Sequence, residues 1–285
     1  MHFVPGSTRC YNPSVSNQHP NPDIDRLSTL AALVLLSYGM VRVIDLPTIS
    51  FELSALGVVI PVMLNTRSAM LALAAALAVV GADWLAASHP HVSSGRPDVA
   101  RWVLPGLAAL GIGSLLTRLP EGGPLWIGLG LAAALLMTVF VAEFTTIDPD
   151  DPRRNVAAMG LEALSYLLLL EFAFSVRLLN WRAVFAVPAL IVASGALAWR
   201  LLRLRLPEAR SWLFALMVGW GIGQLAWALH YLPIPPLRGA LLILLAFYLV
   251  MAFVVAVLQE QGLARRLLEY GLISALGLIA ILTLA

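Results

Sequence analysis

Residues 48–64 read TISFELSALGVVIPVML, and whether this stretch is a strand pair or a helix decides how many times the chain crosses a membrane. It is apolar enough to resemble a span, yet it holds Glu52, Gly57 and Pro61 and is about 17 residues long, at the lower limit for a crossing. Its periodicity separates the two readings. Ile49, Phe51 and Leu53 alternate with Ser50, Glu52 and Ser54; beyond residue 57, Val58, Ile60, Val62 and Leu64 share one parity and Val59, Pro61 and Met63 the other. Period two is the strand signature. Because an open sheet edge cannot face hydrocarbon, residues 48–65 are expected to form an amphipathic β-hairpin outside the lipid, with a short or re-entrant helix as the alternative.

The rest of the chain supplies the crossings. Of 285 residues, 60% are hydrophobic and 12% charged, with a mean hydropathy of +0.87, which excludes a water-soluble globule. Apolar runs extend over Leu27 to Ile44, Ser68 to Ala87, Trp102 to Leu119, Leu125 to Thr145, Asn155 to Val176, Ala183 to Leu202, Ser211 to Leu232, Leu237 to Gln259 and Leu267 to Leu284. The predicted fold is therefore an all-α polytopic membrane protein with nine transmembrane helices and the hairpin after the first. Pro90, Pro97, the Pro120–Pro124 segment, Pro149, Pro152, Pro207 and the Pro233–Pro236 segment punctuate the connections. Asp151 before Pro152 suits a helix start. Residues 1–26, rich in Pro, Asn and Ser with no apolar core, read as a flexible cytoplasmic tail and not as a signal peptide.

All 18 basic residues are arginines, against 16 acidic ones, and a net charge of +2 gives no reason to expect nucleic-acid binding. On the nine-helix map 12 arginines fall on the side of the N-terminus and 6 on the other, so the N-terminus is expected in the cytoplasm and the C-terminus outside. Of eight tryptophans only Trp220 is central in its span. Arg in place of Lys throughout suggests a GC-rich bacterial genome and hence the plasma membrane. Cys10 is the single cysteine, which excludes an internal disulfide and any multi-thiolate metal site.

Comparing halves reveals a candidate duplication. Arg67 precedes Trp84 by seventeen residues, and Arg182 precedes Trp199 by the same distance. Ala100-Arg101, Gly111-Ile-Gly113, Leu119-Pro120 and Pro124-Leu125 recur as Ala209-Arg210, Gly221-Ile-Gly223, Leu232-Pro233 and Pro236-Leu237; Ser37-Tyr38 recurs weakly as Ser165-Tyr166. The expected domains are residues 27–147 and 148–260 as four-helix repeats, related by a pseudo-two-fold axis along the membrane normal, with residues 261–285 as an appended ninth helix. Chance similarity between apolar segments is the alternative.

Ionisable side chains at membrane depth cost roughly 2.5–3.5 kcal/mol on insertion scales, so each needs a reason. Asp83, Glu143, Glu162 and Glu171 form the candidate intramembrane polar cluster, with Glu269 near the start of the last span. A cation site or proton relay, with Arg153, Arg154 or Arg200 as counter-charge, stands against anchoring of helix ends by interfacial arginines and helix dipoles. Asp83, His89 and His91 are ligand types for zinc or copper at no spacing that a known site uses, and the segment reads as a solvated loop. His230 reads as interfacial. The Asp148–Arg154 segment superficially resembles metal–diphosphate motifs, but its prolines keep the aspartates off one helix face, so it too reads as a solvated loop and cap. Gly111, Gly113, Gly219, Gly221 and Gly223 read as packing surfaces, not nucleotide loops. Catalytic, cofactor-binding and metal-ligating residues are assigned to none.

The segments GADWLAASHP (81–90) and AEFTTIDPDDP (142–152) resemble an uncharacterised family of bacterial polytopic membrane proteins carrying a domain of unknown function. The resemblance covers most of the chain and implies no activity, cofactor or site residues. Three functions stay open: a non-catalytic membrane subunit or scaffold, with the lipid bilayer as the one evident partner; a secondary transporter or channel in which Glu162 and Glu143 face one water-filled cavity; and a membrane-embedded enzyme with Asp83, His89, His91 and the aspartate loop around a lipid headgroup.

Overall fold

The computed structural model describes residues 22–44, 47–55, 58–90, 92, 98–206, 211–259 and 263–283, with main chain alone for 49–55, 58–64 and 263–269. Among these, nine helices and one strand pair follow in the order α1 (Ile24–Val43), β1 (Ile49–Ala55), β2 (Val58–Leu64), α2 (Thr66–Ala86), α3 (Ala100–Leu116), α4 (Gly123–Thr145), α5 (Arg154–Leu178), α6 (Ala183–Arg205), α7 (Ser211–His230), α8 (Pro236–Leu258) and α9 (Leu263–Thr283). β1 and β2 are antiparallel, with Ile49 opposite Leu64 and Ala55 opposite Val58. Helix α1 takes in the last three residues of the expected tail, 24–26; residues 1–21 of that tail lie outside the described residues.

Local chemistry sets the helix ends. Asp23 caps α1 by accepting from the Asp25 amide at 3.0 Å. Asn65 and Ser68 form a reciprocal capping box at α2. Pro124 and Pro236 stand in the first turns of α4 and α8, where a missing amide costs nothing. Gly122, with φ of 106°, makes the turn into α4 in a conformation that side chains disfavour, and Asn180 (φ 48°) plays that part after α5.

Seven of the nine helices are long and apolar enough to cross a membrane. By length and composition the structure thus bears out seven of the nine expected crossings. Helix α3 has 17 residues, and the apolar described part of α9 runs only from Tyr270 to Thr283. Helix α3 is the hub, packing on α2, α4, α5 and α6 with Ala108, Ala109 and Leu104 fully buried. Within the first four helices α1 packs on α2 and α4, α2 on α3, and α3 on α4; within the next four α5 packs on α6 and α8, α6 on α7, and α7 on α8. The relation between the two sets is not the two-fold one anticipated. Helix α3 packs on α5 and α6, with no comparable packing of α7 on α1 or α2 among the described residues, while α9 lies on α8 much as α5 lies on α4.

Helix α7 shows the solvent this fold is built for. Its small residues Ala215, Gly219, Gly223 and Ala226 turn inward, while Trp212, Leu216, Met217 and Trp220 are exposed. Small residues at helix contacts and large apolar ones outside are the arrangement that lipid, not water, permits. Two arginines finish helices other than their own: Arg42 at the end of α1 donates to the Leu119 carbonyl at 2.8 Å, and Arg177 at the end of α5 donates to the Leu229 and Ile234 carbonyls at 3.2 and 3.1 Å. Leu229 is one of the carbonyls that the end of α7 leaves open, while Leu119 and Ile234 lie in the connections just past α3 and α7.

Candidate functional site

The end of the bundle formed by the last turns of α4 and α6 and the first turn of α3 carries a charge network. Glu143, on α4, is 5% exposed and Arg200, on α6, is 3% exposed. The Arg200 guanidinium grips the carboxylate with both arms: Nε donates to Oε1 at 3.1 Å, Nη2 donates to Oε2, and Nη2 also reaches the Thr146 hydroxyl at 3.4 Å. Such bidentate pairs are directional as well as strong. Alongside it, Asp98 accepts from Arg203 at 3.2 Å and pairs with Arg101 at 3.5 Å, and both Asp98 and Arg101 lie within electrostatic reach of Glu143. Two carboxylates and three guanidiniums thus bind the segment before α3 to α4 and α6.

Next to this network the two polar connections are more enclosed than a solvated-loop reading allows. His89 is 3% exposed and stacks edge-on against Phe144, ring centroids 4.7 Å apart. Asp148 and Asp151 are 4% and 6% exposed. Asp148 accepts from the Asp150 amide at 3.0 Å, and Asp151 accepts from the Arg153 amide at 2.8 Å and pairs with its guanidinium at 3.0 Å. The prolines bend the chain so that each aspartate serves the local backbone, which is how they can be buried. His91 lies outside the described residues. Among the described residues no group of three or more His, Cys, Asp or Glu is placed to hold a metal ion.

The other three carboxylates each meet a separate environment. Asp83, exposed near the end of α2, accepts from the Trp102 indole at 3.2 Å. Glu162 on α5 is bound by Arg205 of α6 and lines an open groove of about 750 Å³ between α5, α6, α8 and α9, with Tyr166, Tyr248 and Tyr270 around it. Glu171, nine residues further along α5, is held by hydroxyls: Ser114 of α3 donates to its Oε1 at 2.6 Å and Ser175 at 3.1 Å, and Ser175 in turn accepts from Arg118 at 2.9 Å. It borders a cavity of about 380 Å³ enclosed by α2, α3, α5 and α6. Glu162 thus borders the open groove, whereas the Glu143 carboxylate is closed off by Arg200. His230 stacks on Tyr231, centroids 5.6 Å apart, on the exposed surface. Nothing is described of the Glu269 side chain.

Sequence reasoning named Arg200 as a counter-charge but passed over Asp98, Ser114, Arg118 and Ser175. Asp98 follows a loop-like Ser-Ser-Gly-Arg-Pro run that carries no periodic signal, and Ser114 becomes a partner of Glu171 only through the rotation of α3 against α5, whereas Ser175 stands four residues along α5 from Glu171, a spacing the sequence itself displays.

No curated protein and no solved structure matches the chain. The two quoted segments lie within residues 46–284, over which a family model matches. The chain belongs to the family described as Protein of unknown function (DUF5656).

Proposed function

We propose that the chain is a non-catalytic membrane subunit or scaffold. The observation that carries this reading is the Glu143–Arg200 clamp: a buried, two-armed ion pair between α4 and α6 engages both carboxylate oxygens and holds them away from solvent. Glu162 is likewise engaged by Arg205. Both charges serve helix-to-helix attachment, the role in which buried pairs confer a single arrangement more than net stability. Full-length chain in proteoliposomes holding a pH-sensitive dye is expected to pass protons, under imposed pH and potassium gradients, no faster than empty vesicles. Uptake that Glu162→Gln or Glu143→Gln abolishes would replace the reading with that of a transporter.

The same proposal places the chain in a bacterial plasma membrane, N-terminus in the cytoplasm and the β1–β2 hairpin outside, on the arginine distribution. Cys10 makes this testable without engineering, since it is the single thiol. An impermeant maleimide applied to intact cells is expected to leave it unlabelled until the membrane is broken. A duplication of four helices is also part of the proposal. Its support is the matching of α1–α4 and α5–α8 neighbours and a second correspondence: Arg42 binds the Leu119 carbonyl and Arg177 the Leu229 carbonyl, with the spacing that aligns Gly111 to Gly221. The relation is a tandem one, each unit handing on to the next helix, and not a closed two-fold.

A further inference from the structure

The cavity beside Glu171 has a physical origin in the packing. Helices α2 and α6 both pack on α3 with no comparable packing on each other, so a slot remains over the α3 face that carries Leu107, Leu110 and Gly111. Gly111 keeps the slot open as far as the carboxylate, since a Cβ there would sit 3.2 Å from Glu171 Oε2 and equally close to Leu168. The walls are apolar, with Leu71, Leu168 and Leu197 among them, and Leu110 is 38% exposed at the slot's open side.

Polar groups occur at two levels. Arg67, in the first turn of α2, and Arg118, just past the end of α3, stand at the mouth. Neither has a carboxylate partner among the described residues; Arg67 makes no hydrogen bond there at all, and Arg118 donates to Ser175. Glu171 lies seven residues inside the end of α5, about 10 Å at the helical rise. Its Oε1 takes both serine hydroxyls, whereas Oε2 accepts nothing among the described residues and borders the cavity. From mouth to floor the slot thus offers two cations with no direct carboxylate partner among the described residues, one acceptor in want of a donor, and a hydrocarbon channel. A volume of about 380 Å³ is near the lower end of ligand pockets, sized for one chain and not two.

We propose that this cavity binds a single-chain amphiphile with a phosphate head and a free hydroxyl, the chemistry of a lysophospholipid. The phosphate sits between Arg67 and Arg118, as guanidiniums at a membrane interface favour. The hydroxyl below it donates to Glu171 Oε2, and the acyl chain runs along Leu107, Leu110 and Leu168. A carboxylate at that depth is thereby satisfied by the ligand when the chain itself supplies only half of its acceptor capacity.

Titration of full-length chain in a non-ionic detergent with 1-palmitoyl lysophosphatidic acid tests this directly. Binding is expected to weaken about tenfold for palmitoylglycerol, which lacks the phosphate, and severalfold for the 2-deoxy analogue, which lacks the donor. Arg67→Gln, at a residue with no described partner to lose, is expected to weaken the phosphate ligand by five- to tenfold and leave palmitoylglycerol unchanged. Leu110→Trp, entering from the open side of the slot, is expected to abolish binding of both while the protein elutes as wild type. The proposal is overturned by equal affinity for the phosphate and neutral ligands, by tighter binding of hexadecyltrimethylammonium, or by binding insensitive to Leu110→Trp.

Discussion

The α2–α3 pair and the α6–α7 pair occupy corresponding places in the two sets of four helices, and both meet through glycines, yet they close in different ways. At α6–α7 glycine meets glycine: a Cβ on Gly219 would lie 2.7 Å from the Ile191 carbonyl oxygen and 3.0 Å from the Gly195 Cα, so the two backbones touch. At α2–α3 the glycines receive side chains: a Cβ on Gly106 would lie 2.9 Å from Val79 Cγ2, and Gly113 faces Leu71 and Tyr38. Small residues bring helices together only when the partner is small too. Where Leu and Val fill the space, the helices stand further apart, and it is on that side, over α3, that the 380 Å³ slot lies. Gly111 and Gly221 record the same divergence, one against Glu171 and the other against nothing within 4 Å.

The largest effect is expected where the two sets are joined. Removing Arg200 leaves the Glu143 carboxylate buried without its cation, and one-sided breaking of such a pair costs about 3–5 kcal/mol. Arg200→Ala should therefore lower the unfolding midpoint in an SDS titration, followed by tryptophan fluorescence, more than any other single change considered. The double variant Glu143→Leu with Arg200→Met should recover most of the loss, because the desolvation penalty disappears along with the attraction. A double variant as unstable as Arg200→Ala alone would show that the surrounding Asp98, Arg101 and Arg203 charges need Glu143 directly.

An intermediate effect separates the two arginines that finish neighbouring helices. Arg177 serves two carbonyls from a half-buried position and packs against Gly239, whereas Arg42 serves one and pairs with exposed Glu121 at 3.5 Å. Hydrogen bonds from a charged donor are worth about 1.5–3 kcal/mol when buried, and exposed pairs about 1 kcal/mol or less. Arg177→Met is expected to destabilise by the former amount and Arg42→Met by the latter in the same titration. Equal losses would mean that the two caps have not diverged as their surroundings have.

Much of this architecture was legible because hydrocarbon makes simple demands on a sequence. Backbone amides must be satisfied within each crossing, so apolar runs bounded by Pro, Gly and Arg give helix ends to within about four residues, as at Ala183 and Thr145. The alternation over residues 49–64 coincides with the β1–β2 pair. What escaped depends on how helices are rotated against one another. Glu171 reads as one more carboxylate until α3 turns Ser114 and Gly111 towards it. His89, Asp148 and Asp151 look solvated because polar connections usually are; burial follows from Phe144 and local backbone bonds, which no residue spacing announces. The shortness of α3 was the same kind of omission: Ala and Gly make it apolar enough for lipid and equally suited to the centre of the protein.

The smallest effects test the glycine comparison itself. Gly219→Ala forces backbone against backbone, and overpacking of this kind costs about 1–3 kcal/mol because neither carbonyl nor Cα can swing aside. Gly106→Ala meets a single Val79 methyl and no backbone atom, so its cost should be under that of Gly219→Ala. Gly221→Ala meets open space, and replacing a mid-helix glycine by alanine favours the helix by about 0.5–1 kcal/mol. The expected order of unfolding midpoints is thus Gly221→Ala above wild type, Gly106→Ala slightly below it and Gly219→Ala lowest. If Gly106→Ala proved the most damaging, the α2–α3 contact would be the tighter of the two, and side chains received by glycines would hold helices as closely as glycine against glycine.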